Sequence, residues 1–209
     1  MKKEEMIKIL IKSAKHYNKE LLNKNILFLY GDINNPKCLE CIFFDRTFHH
    51  LTGTNINMSS VNFYRLCVNS KLSPTDFTKK NNGYTEMKLR ILEKTMNIHK
   101  NAKMLGIYDN SKIYLQTDKL IGGFNSCLGF IQSNYKNYYV PNTLLQEDIR
   151  NISEKDSVKP IVAILRKDVK SDVYEEICYV SKRVGDFSKI NINKLDKHIK
   201  IQLPIPELN

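Results

Sequence analysis

The N-terminal segment carries its apolar residues at helical spacing. These positions are Ile7, Leu10, Ile11, Ala14, Tyr17, Leu21 and Leu22. Lysines at positions 8, 12, 15 and 19 take the other side, so the pattern predicts an amphipathic helix. A basic helix of this kind can lie on a membrane or in a nucleic-acid groove, but we expect it to cover one face of a sheet.

The pattern then changes to short apolar runs of the kind found in strands. The runs Ile26–Tyr30 and Leu39–Phe44 flank a dense turn signal at residues 31–36, so they predict a hairpin. The next stretch, Phe48–Gly53, is also strand-like, and it ends at a glycine.

Helical spacing returns in the middle of the chain. It predicts helices over Ser59–Asn69, from Ser73 onward, and over Thr85–Asn97. Ser73 and Thr85 are the expected N-caps, since serine and threonine accept hydrogen bonds from the first free amides of a helix. Pro74 would occupy the first turn of the second helix. The expected buried stripe of the third helix is Met87, Ile91, Leu92 and Met96.

After residue 102 the chain reads as closely spaced strands. They are Met104–Tyr108, Ile113–Thr117, Cys127–Gln132, Tyr138–Val140, Ile161–Leu165 and Tyr174–Val180. Their spacing predicts an antiparallel meander, because parallel crossovers need about a dozen or more residues each. Alternating Ile199, Ile201 and Leu203 predict a last edge strand. The fold class is therefore α+β, with N-terminal helices packed on an antiparallel sheet.

Composition narrows the partner class. The 209 residues carry a net charge of +11, from 33 basic and 22 acidic residues, which favours a polyanion such as nucleic acid or an anionic membrane surface. Lysine supplies 27 of the basic residues. Such lysine-rich, asparagine-rich and isoleucine-rich chains are typical of A/T-rich coding sequences, so we expect part of this charge to be passive.

Other protein classes are disfavoured. No apolar run approaches the roughly 18 residues that a transmembrane helix needs, and the charged N-terminus does not resemble a secretory signal. Five scattered cysteines predict buried thiols in a reducing compartment rather than a disulfide framework. We therefore expect a cytoplasmic protein without a membrane partner.

Metal and cofactor motifs are weak. A zinc site at Cys38 and Cys41 is disfavoured, because three-residue spacing on a strand sends the two thiols to opposite faces. Asp76, Glu86 and Lys88 match a loose D…E-x-K nuclease pattern, which requires a strand where the sequence predicts a helix. The glycine pair at 122–123 lacks the spacing of a phosphate loop. No metal and no cofactor are predicted.

The pair His49-His50 is the most informative local feature. Histidine is scarce, with five in the chain, and imidazole titrates near neutral pH. On the strand predicted here the two rings point to opposite faces, and His50 shares a face with Thr52. The simpler interpretation is a half-buried histidine satisfied by a backbone carbonyl, and which ring faces a site stays open.

Seven segments are similar to the motifs of one nuclease family. In order they are Phe48-x-His50-Leu51-Thr52-Gly53, Phe63-Tyr64-x-x-Cys67, Thr85-x-x-Lys88-Leu89, Thr117-Asp118-Lys119-x-Ile121-Gly122, Cys127-Leu128-Gly129-Phe130, Tyr138-Tyr139-Val140-Pro141-Asn142-Thr143-Leu144-Leu145 and Ile177-Cys178-Tyr179-x-Ser181-Lys182. As a set they resemble the phage-type barnase–EndoU–colicin–RelE-like (BECR) nucleases, specifically the fourth phage group. The resemblance covers residues 5–185.

The resemblance implies a single BECR-like domain over residues 1–185, in which helices pack on a curved antiparallel sheet. Residues 186–209 would be a C-terminal extension that adds the edge strand. The implied activity is that of a metal-independent endoribonuclease, used as a toxin or effector by phages and mobile elements in a bacterial host cell. The implied partners are RNA and an acidic immunity protein or antitoxin.

Site residues follow from that implied reaction, in which the ribose 2′-hydroxyl attacks the adjacent phosphate. His50 is the expected acid or base, and Lys88 and Lys119 are expected to stabilise charge on the phosphate. Thr52 would orient the scissile phosphate.

Three further residues are expected to bind RNA. Tyr139 would stack on a base, and Arg150 and Lys182 would contact the RNA backbone. The alternative is a catalytically inactive BECR-like module that binds RNA or a protein partner.

Overall fold

The computed structural model describes residues 1–209 apart from 82, 113–114, 134–137 and 204–209. Its α-helices are α1 Lys3–Glu20, α2 Asp45–Thr52, α3 Ser60–Val68, α4 Tyr84–Thr95, α5 Ile98–Asn101 and α6 Ile149–Ile152. Its strands are β1 Lys24–Gly31, β2 Pro36–Ile42, β3 Thr54–Ile56, β4 Phe77–Lys79, β5 Met104–Ile107, β6 Lys119–Gly122, β7 Cys127–Gln132, β8 Tyr139–Leu145, β9 Lys159–Asp168, β10 Val173–Tyr174, β11 Glu176–Val180 and β12 Lys200–Ile201. Two 3₁₀ turns lie at Phe187–Lys189 and Ile192–Lys194. The predicted α+β class is confirmed.

Eight strands form one strongly curved sheet in the order β1-β2-β8-β7-β6-β5-β9-β11. Strand β9 also pairs with β1, so the first seven strands close into a ring of hydrogen-bonded neighbours. The prediction of an antiparallel sheet is wrong at one step, because β2 and β8 pair in parallel through Cys41 and Tyr139. An odd number of strands cannot alternate direction all the way round a closed ring, so at least one pair must be parallel.

Helices α1 to α4 share the principal core with one face of this sheet. Buried side chains of α1 to α4, among them Leu10, Phe48 and Leu92, form the principal core with those of the strands. Tyr17 lies at its centre, with edge-to-face contacts to three aromatic rings and a hydroxyl that donates to Phe44 O at 2.8 Å. Helix α1 packs chiefly against α3 and α4, and its buried side chains share one core with those of the strands, so its predicted place on a sheet face stays a prediction.

The chain after β11 covers the outer face of β1 and β9. Val184, Phe187 and Ile190 form a second cluster with Leu27 and other side chains of those two strands. The predicted edge strand exists as β12, but it pairs in parallel with β10 in a small separate sheet.

The cysteines follow the predicted pattern in part, since Cys38 and Cys178 are only partly buried. All five are free, and Cys41, Cys67 and Cys127 are buried. Cys38 packs in the second cluster while Cys41 packs in the principal core, so the two thiols lie on opposite faces of β2. In the described part of the chain, no helix is long and apolar enough to cross a bilayer.

The strand predicted over Phe48–Gly53 is wrong, because these residues lie in α2 and its C-terminal cap. The buried positions of α2 are Thr47, Phe48, Leu51 and Thr52, which is helical spacing in a segment too short for periodicity to identify. Gly53 ends the helix in the left-handed region, with φ 67°.

The helix predicted from Ser73 is also wrong, and the helix predicted over Thr85–Asn97 is present as α4 but has a different cap. The turn at Ser73 imitates a cap, since its backbone N–H donates to Asp76 Oδ2 at 2.6 Å, but the chain then enters β4 and pairs with β3. Thr85 is not the cap of α4, because Gly83 occupies that position. Of the predicted stripe of α4, Leu92 and Met96 are buried, whereas Met87 and Ile91 are only partly so.

Most of the late strands were predicted within a few residues of their bounds, and Cys127–Gln132 is confirmed without a shift. The strand predicted over Ile113–Thr117 falls partly outside the described residues, and its described part, residues 115–117, is not a strand.

Candidate functional site

A basic cleft lies where the C-terminal end of α2 meets α4, the loop before β6 and strand β8. We define this basic cleft by its lining residues, which enclose about 200 Å³: His49, His50, Gly53, Thr54, Lys80, Tyr84, Lys88, Leu115, Gln116, Thr117, Asn142 and Thr143. This set contains two lysines and two histidines, and no carboxylate. The cleft is therefore suited to an anionic ligand.

Lys88 is the buried cation of the cleft. It lies on the inner side of α4 with only 3 % of its surface exposed. Its Nζ donates to His50 O and to Thr143 Oγ1, both at 3.2 Å, and lies 4.8 Å from the centre of the Tyr84 ring. In the described part of the chain it has no carboxylate partner. Burial, reinforced by the charge of Lys80, lowers the pKa of Lys88 to about 8.

The two histidines differ in how their ring nitrogens are used. His49 Nε2 donates to Thr54 O at 2.9 Å, and Ser60 Oγ lies 3.4 Å from His49 Nδ1. The His50 ring is exposed, and neither of its nitrogens has a hydrogen-bond partner among the described residues. Of the two imidazoles, the structure leaves only that of His50 free to exchange a proton with a ligand in the cleft.

Both imidazoles are held towards the neutral form. Although His50 is open to solvent on one side, the cleft walls remove part of the water around its ring; this desolvation lowers the pKa of His50, and the charges of Lys88 and Lys80 lower it further. Burial also lowers the pKa of His49, against an opposing hydrogen bond to Thr54. A neutral imidazole has a free lone pair, so His50 can accept a proton at neutral pH.

The wall opposite the histidines is polar and uncharged. Thr117 Oγ1 donates to Asn142 Oδ1 at 3.1 Å, and the Asn142 amide donates to Gln116 O. These bonds fix the loop before β6 against β8. Gly129 permits this packing, because a Cβ there would lie 2.6 Å from Thr143 Cγ2.

Two features of the cleft require glycine at position 53: its backbone conformation and its close approach to Lys88. Its φ of 67° is costly for any residue with a side chain, and a Cβ there would lie 2.9 Å from Lys88 Cδ. Its carbonyl accepts a hydrogen bond from Thr85 Oγ1 at 2.5 Å. The end of α2 and the stem of Lys88 can therefore approach closely only because position 53 is glycine.

We expect Gly53→Ala to lower the free energy of unfolding by about 2–3 kcal/mol, through backbone strain and displacement of Lys88. Gly83→Ala is a matched control, because Gly83 has φ 71° but nothing within 4 Å of its Cβ position. We expect the control to cost about 1 kcal/mol. Urea unfolding of both variants measures the difference, and equal losses would show that the contact with Lys88 is of no consequence.

The predicted catalytic residues are only partly brought together. His50 and Lys88 both line the basic cleft. Thr52 is fully buried beside it, donates to His49 O at 2.8 Å and shares a hydrogen bond with Thr54 Oγ1, so its hydroxyl serves the end of α2. Lys119 lies at the start of β6 and lines a different cavity.

The predicted RNA-binding residues lie outside the cleft. Tyr139 begins β8 and packs half-buried against the principal core. Arg150 pairs with Asp148 at 2.6 Å and lies over the ring of Phe124. Lys182 is exposed in the turn after β11.

Sequence reasoning missed Lys80, Tyr84 and the polar wall of the cleft. Thr117, Asn142 and Thr143 do stand inside segments that resemble the family motifs, so that signal was available. Lys80 belongs to no such segment, and nothing in the sequence distinguishes it from the other lysines. Among the described residues, no group of three His, Cys, Asp or Glu side chains is arranged to hold a metal ion.

One comparison with known proteins gives a match. The family model described as phage-Barnase-EndoU-ColicinE5/D-RelE like nuclease4 matches residues 9–183. No curated protein and no solved structure matches the chain. The matched range includes every residue of the basic cleft and stops before the C-terminal segment that covers β1 and β9.

Proposed function

Because the chain belongs to the fourth phage family of BECR-like nucleases, we propose that it is a metal-independent endoribonuclease whose reaction takes place in the basic cleft. The observation that supports this most directly is that the His50 imidazole and the buried Lys88 ammonium line the same cleft; among the described residues the imidazole has no hydrogen-bond partner and the ammonium has no carboxylate partner. RNA cleavage through the 2′-hydroxyl needs a base and a cation, and these two groups can supply both.

In the proposed reaction His50 removes the proton of the ribose 2′-hydroxyl. The 2′-oxygen then forms a bond to the adjacent phosphorus, and the bond from phosphorus to the 5′-oxygen breaks. The products are a 2′,3′-cyclic phosphate and a free 5′-hydroxyl. The lowered pKa of His50 suits this role, because the imidazole is unprotonated at neutral pH.

Lys88 stabilises the negative charge that develops on the phosphate in the transition state. Its ammonium is fixed by two hydrogen bonds and removed from water, so it needs little reorganisation when that charge appears. A pKa of about 8 also makes it a stronger acid than an exposed lysine, so it can return a proton to the leaving 5′-oxygen. Exposed Lys80 attracts the phosphate to the cleft.

The wider biological role is proposed on the family and the charge. The family is of phage type, and the chain carries a net charge of +11. We propose that the protein acts as a toxin or effector in the cytoplasm of a bacterial host. An acidic immunity protein or antitoxin would neutralise it by covering the basic cleft, since opposite charges favour fast association.

The decisive experiment compares an RNA oligonucleotide with its 2′-deoxy counterpart in the presence of EDTA. We expect cleavage of the RNA alone, with products ending in a 2′,3′-cyclic phosphate, because only RNA carries the attacking hydroxyl. Mass spectrometry of the products gives the readout. Cleavage that EDTA abolishes, or that extends to the deoxy strand, contradicts the proposal. Salt-dependent RNA binding without cleavage would identify an inactive binding module instead.

A further inference from the structure

A second basic concavity opens at one end of the closed strand ring. Strand β1 begins after α1 and β2 leads into α2, whereas the turn at residues 31–36 joins these strands at the other end. A cavity of about 560 Å³ lies at that turn, and we call it the mouth cavity. Its polar and charged lining includes Tyr30, Asp32, Asn35, Lys37, Lys119 and Lys159.

Three lysines converge on the mouth cavity from three different strands. Lys37 stands on β2, Lys119 on β6 and Lys159 on β9. Within the described ranges none of the three makes an ion pair or a side-chain hydrogen bond, whereas Lys24 is paired with Asp168 at 3.0 Å. The one lining carboxylate, Asp32, accepts the backbone N–H of Asn34 at 2.9 Å. The cavity therefore keeps an excess of two positive charges.

The rest of the lining suits a planar, partly apolar group. Tyr30 is half-buried at the end of β1, and Leu105 and Ile107 of β5 supply apolar surface. The volume falls in the range of about 300–1,000 Å³ that is usual for small-molecule sites. At about 200 Å³, the basic cleft is much smaller. A nucleobase on Tyr30 with phosphates on the lysines accounts for both the aromatic and the cationic parts of the lining.

The two concavities are close along the chain. Thr117 lines the basic cleft and Lys119 lines the mouth cavity, so their Cα atoms are at most about 7 Å apart. A single RNA strand can therefore reach from one concavity to the other.

We propose that the mouth cavity binds a further nucleotide unit, beyond the two that flank the scissile phosphate, of the RNA strand that is cleaved in the basic cleft, with its base on Tyr30 and its flanking phosphates on Lys37, Lys119 and Lys159. This inference rests on the proposed endoribonuclease function. It gives Lys119 a role in holding substrate at a distance from the reacting phosphate. It also implies that the substrate is single-stranded RNA, because the base must be unpaired to enter the cavity.

The first test measures binding of a labelled 2′-O-methyl RNA octamer, which cannot be cleaved because its 2′-oxygens are blocked. The variant Lys37→Gln/Lys159→Gln is compared with Lys8→Gln/Lys15→Gln, an equal change of charge on the exposed side of α1. We call Lys37→Gln/Lys159→Gln the mouth pair and Lys8→Gln/Lys15→Gln the control pair. For the mouth pair we expect roughly tenfold weaker binding, and a slope of log affinity against log salt concentration that is smaller by about 1.4. For the control pair we expect less than a twofold change in affinity. Equal losses in the two pairs overturn the inference.

The second test separates stacking from charge. Tyr30→Leu is expected to weaken binding of the octamer by roughly five- to a hundredfold, and Tyr30→Phe to retain it, because stacking requires only the ring. Adenosine monophosphate is the probe for a free nucleotide. If it competes with the octamer at equal concentration, the mouth cavity is a site for free nucleotides and the inference for an RNA strand fails.

Cleavage of substrates of different length distinguishes this inference from the proposed function. The mouth pair should cleave a dinucleotide at the wild-type rate and the octamer more slowly, since a dinucleotide occupies only the basic cleft. Wild-type cleavage of both substrates with no effect of the mouth pair overturns the inference and leaves the proposed function intact. Failure of the wild type to cleave either RNA overturns the proposed function, whatever the binding results.

Discussion

Alanine in place of His50 is expected to reduce RNA cleavage by about 10²- to 10⁴-fold, the usual contribution of a general base. The imidazole is exposed and makes no hydrogen bond within the described part of the chain, so its removal should change the free energy of unfolding by less than about 0.5 kcal/mol. The measurement is kcat/KM on a labelled RNA, with thermal unfolding to confirm the fold. Loss of the base without loss of the fold separates chemistry from stability.

His49→Ala is the matched control for that substitution. The His49 ring packs edge-to-face on Phe63 at 5.4 Å and donates to Thr54 O, so we expect a loss of about 1 kcal/mol in stability and a smaller loss in activity. The pH profile adds a second check. Wild-type activity should rise with pH as His50 loses its proton, at a pKa lowered from the ordinary value of 6.5. The pH profile of His50→Ala should lack this rise. Full activity in His50→Ala contradicts the mechanism.

The hairpin and the later strands could be predicted because their apolar runs are short and bounded by turns. The helix α2 could not, since eight residues containing threonine, phenylalanine and histidine fit a strand pattern as well. That single error changed the geometry of the histidine pair. On a strand the two rings would face apart, whereas in α2 both line the basic cleft and differ only in their hydrogen bonds.

The resemblance to the family identified the segments that form the cleft but not the roles of their residues. His50, Lys88, Thr117 and Thr143 all stand in those segments and all line the basic cleft. Thr52 stands in the same segment as His50, yet its hydroxyl already makes hydrogen bonds to His49 O and Thr54 Oγ1 at the end of α2. Spacing along a sequence cannot show whether a side chain is already satisfied.

The burial of Lys88 could not be predicted either, because spacing along the sequence does not show the surroundings of a side chain. One lysine among 27 has nothing in its sequence to mark it as buried. Its position depends on Gly53, which stands 35 residues earlier and leaves room for its stem. The net charge of +11 therefore matters less than the few lysines that the fold removes from water or gathers around a cavity. The basic cleft and the mouth cavity are two such places.

Replacing Lys88 with methionine is expected to reduce cleavage strongly and to stabilise the protein at the same time. Burial lowers the pKa of Lys88 from 10.5 to about 8, which corresponds to an energetic penalty of about 3 kcal/mol for its charge at neutral pH. The penalty is constant below the folded-state pKa and disappears between about pH 8 and 10.5, so wild-type stability should rise with pH over that window. Methionine fills similar space without the charge but gives up two hydrogen bonds, so we expect a net gain of about 1–2 kcal/mol at pH 7.

The loss of activity in Lys88→Met should reach about 10²- to 10³-fold, as for other groups that stabilise charge in a transition state. Urea unfolding at pH 7 and pH 10 measures the stability, and the variant should lack the pH-dependent gain of the wild type. Lys88→Arg is the control, because guanidinium keeps its charge at every accessible pH. Lys88→Arg should retain part of the activity. Its activity should not fall above about pH 8, whereas that of the wild type should fall there as Lys88 loses its proton. A methionine variant that is less stable than the wild type at pH 7 would show that Lys88 holds the fold together, and the assignment of its ammonium to catalysis would then lose its physical basis.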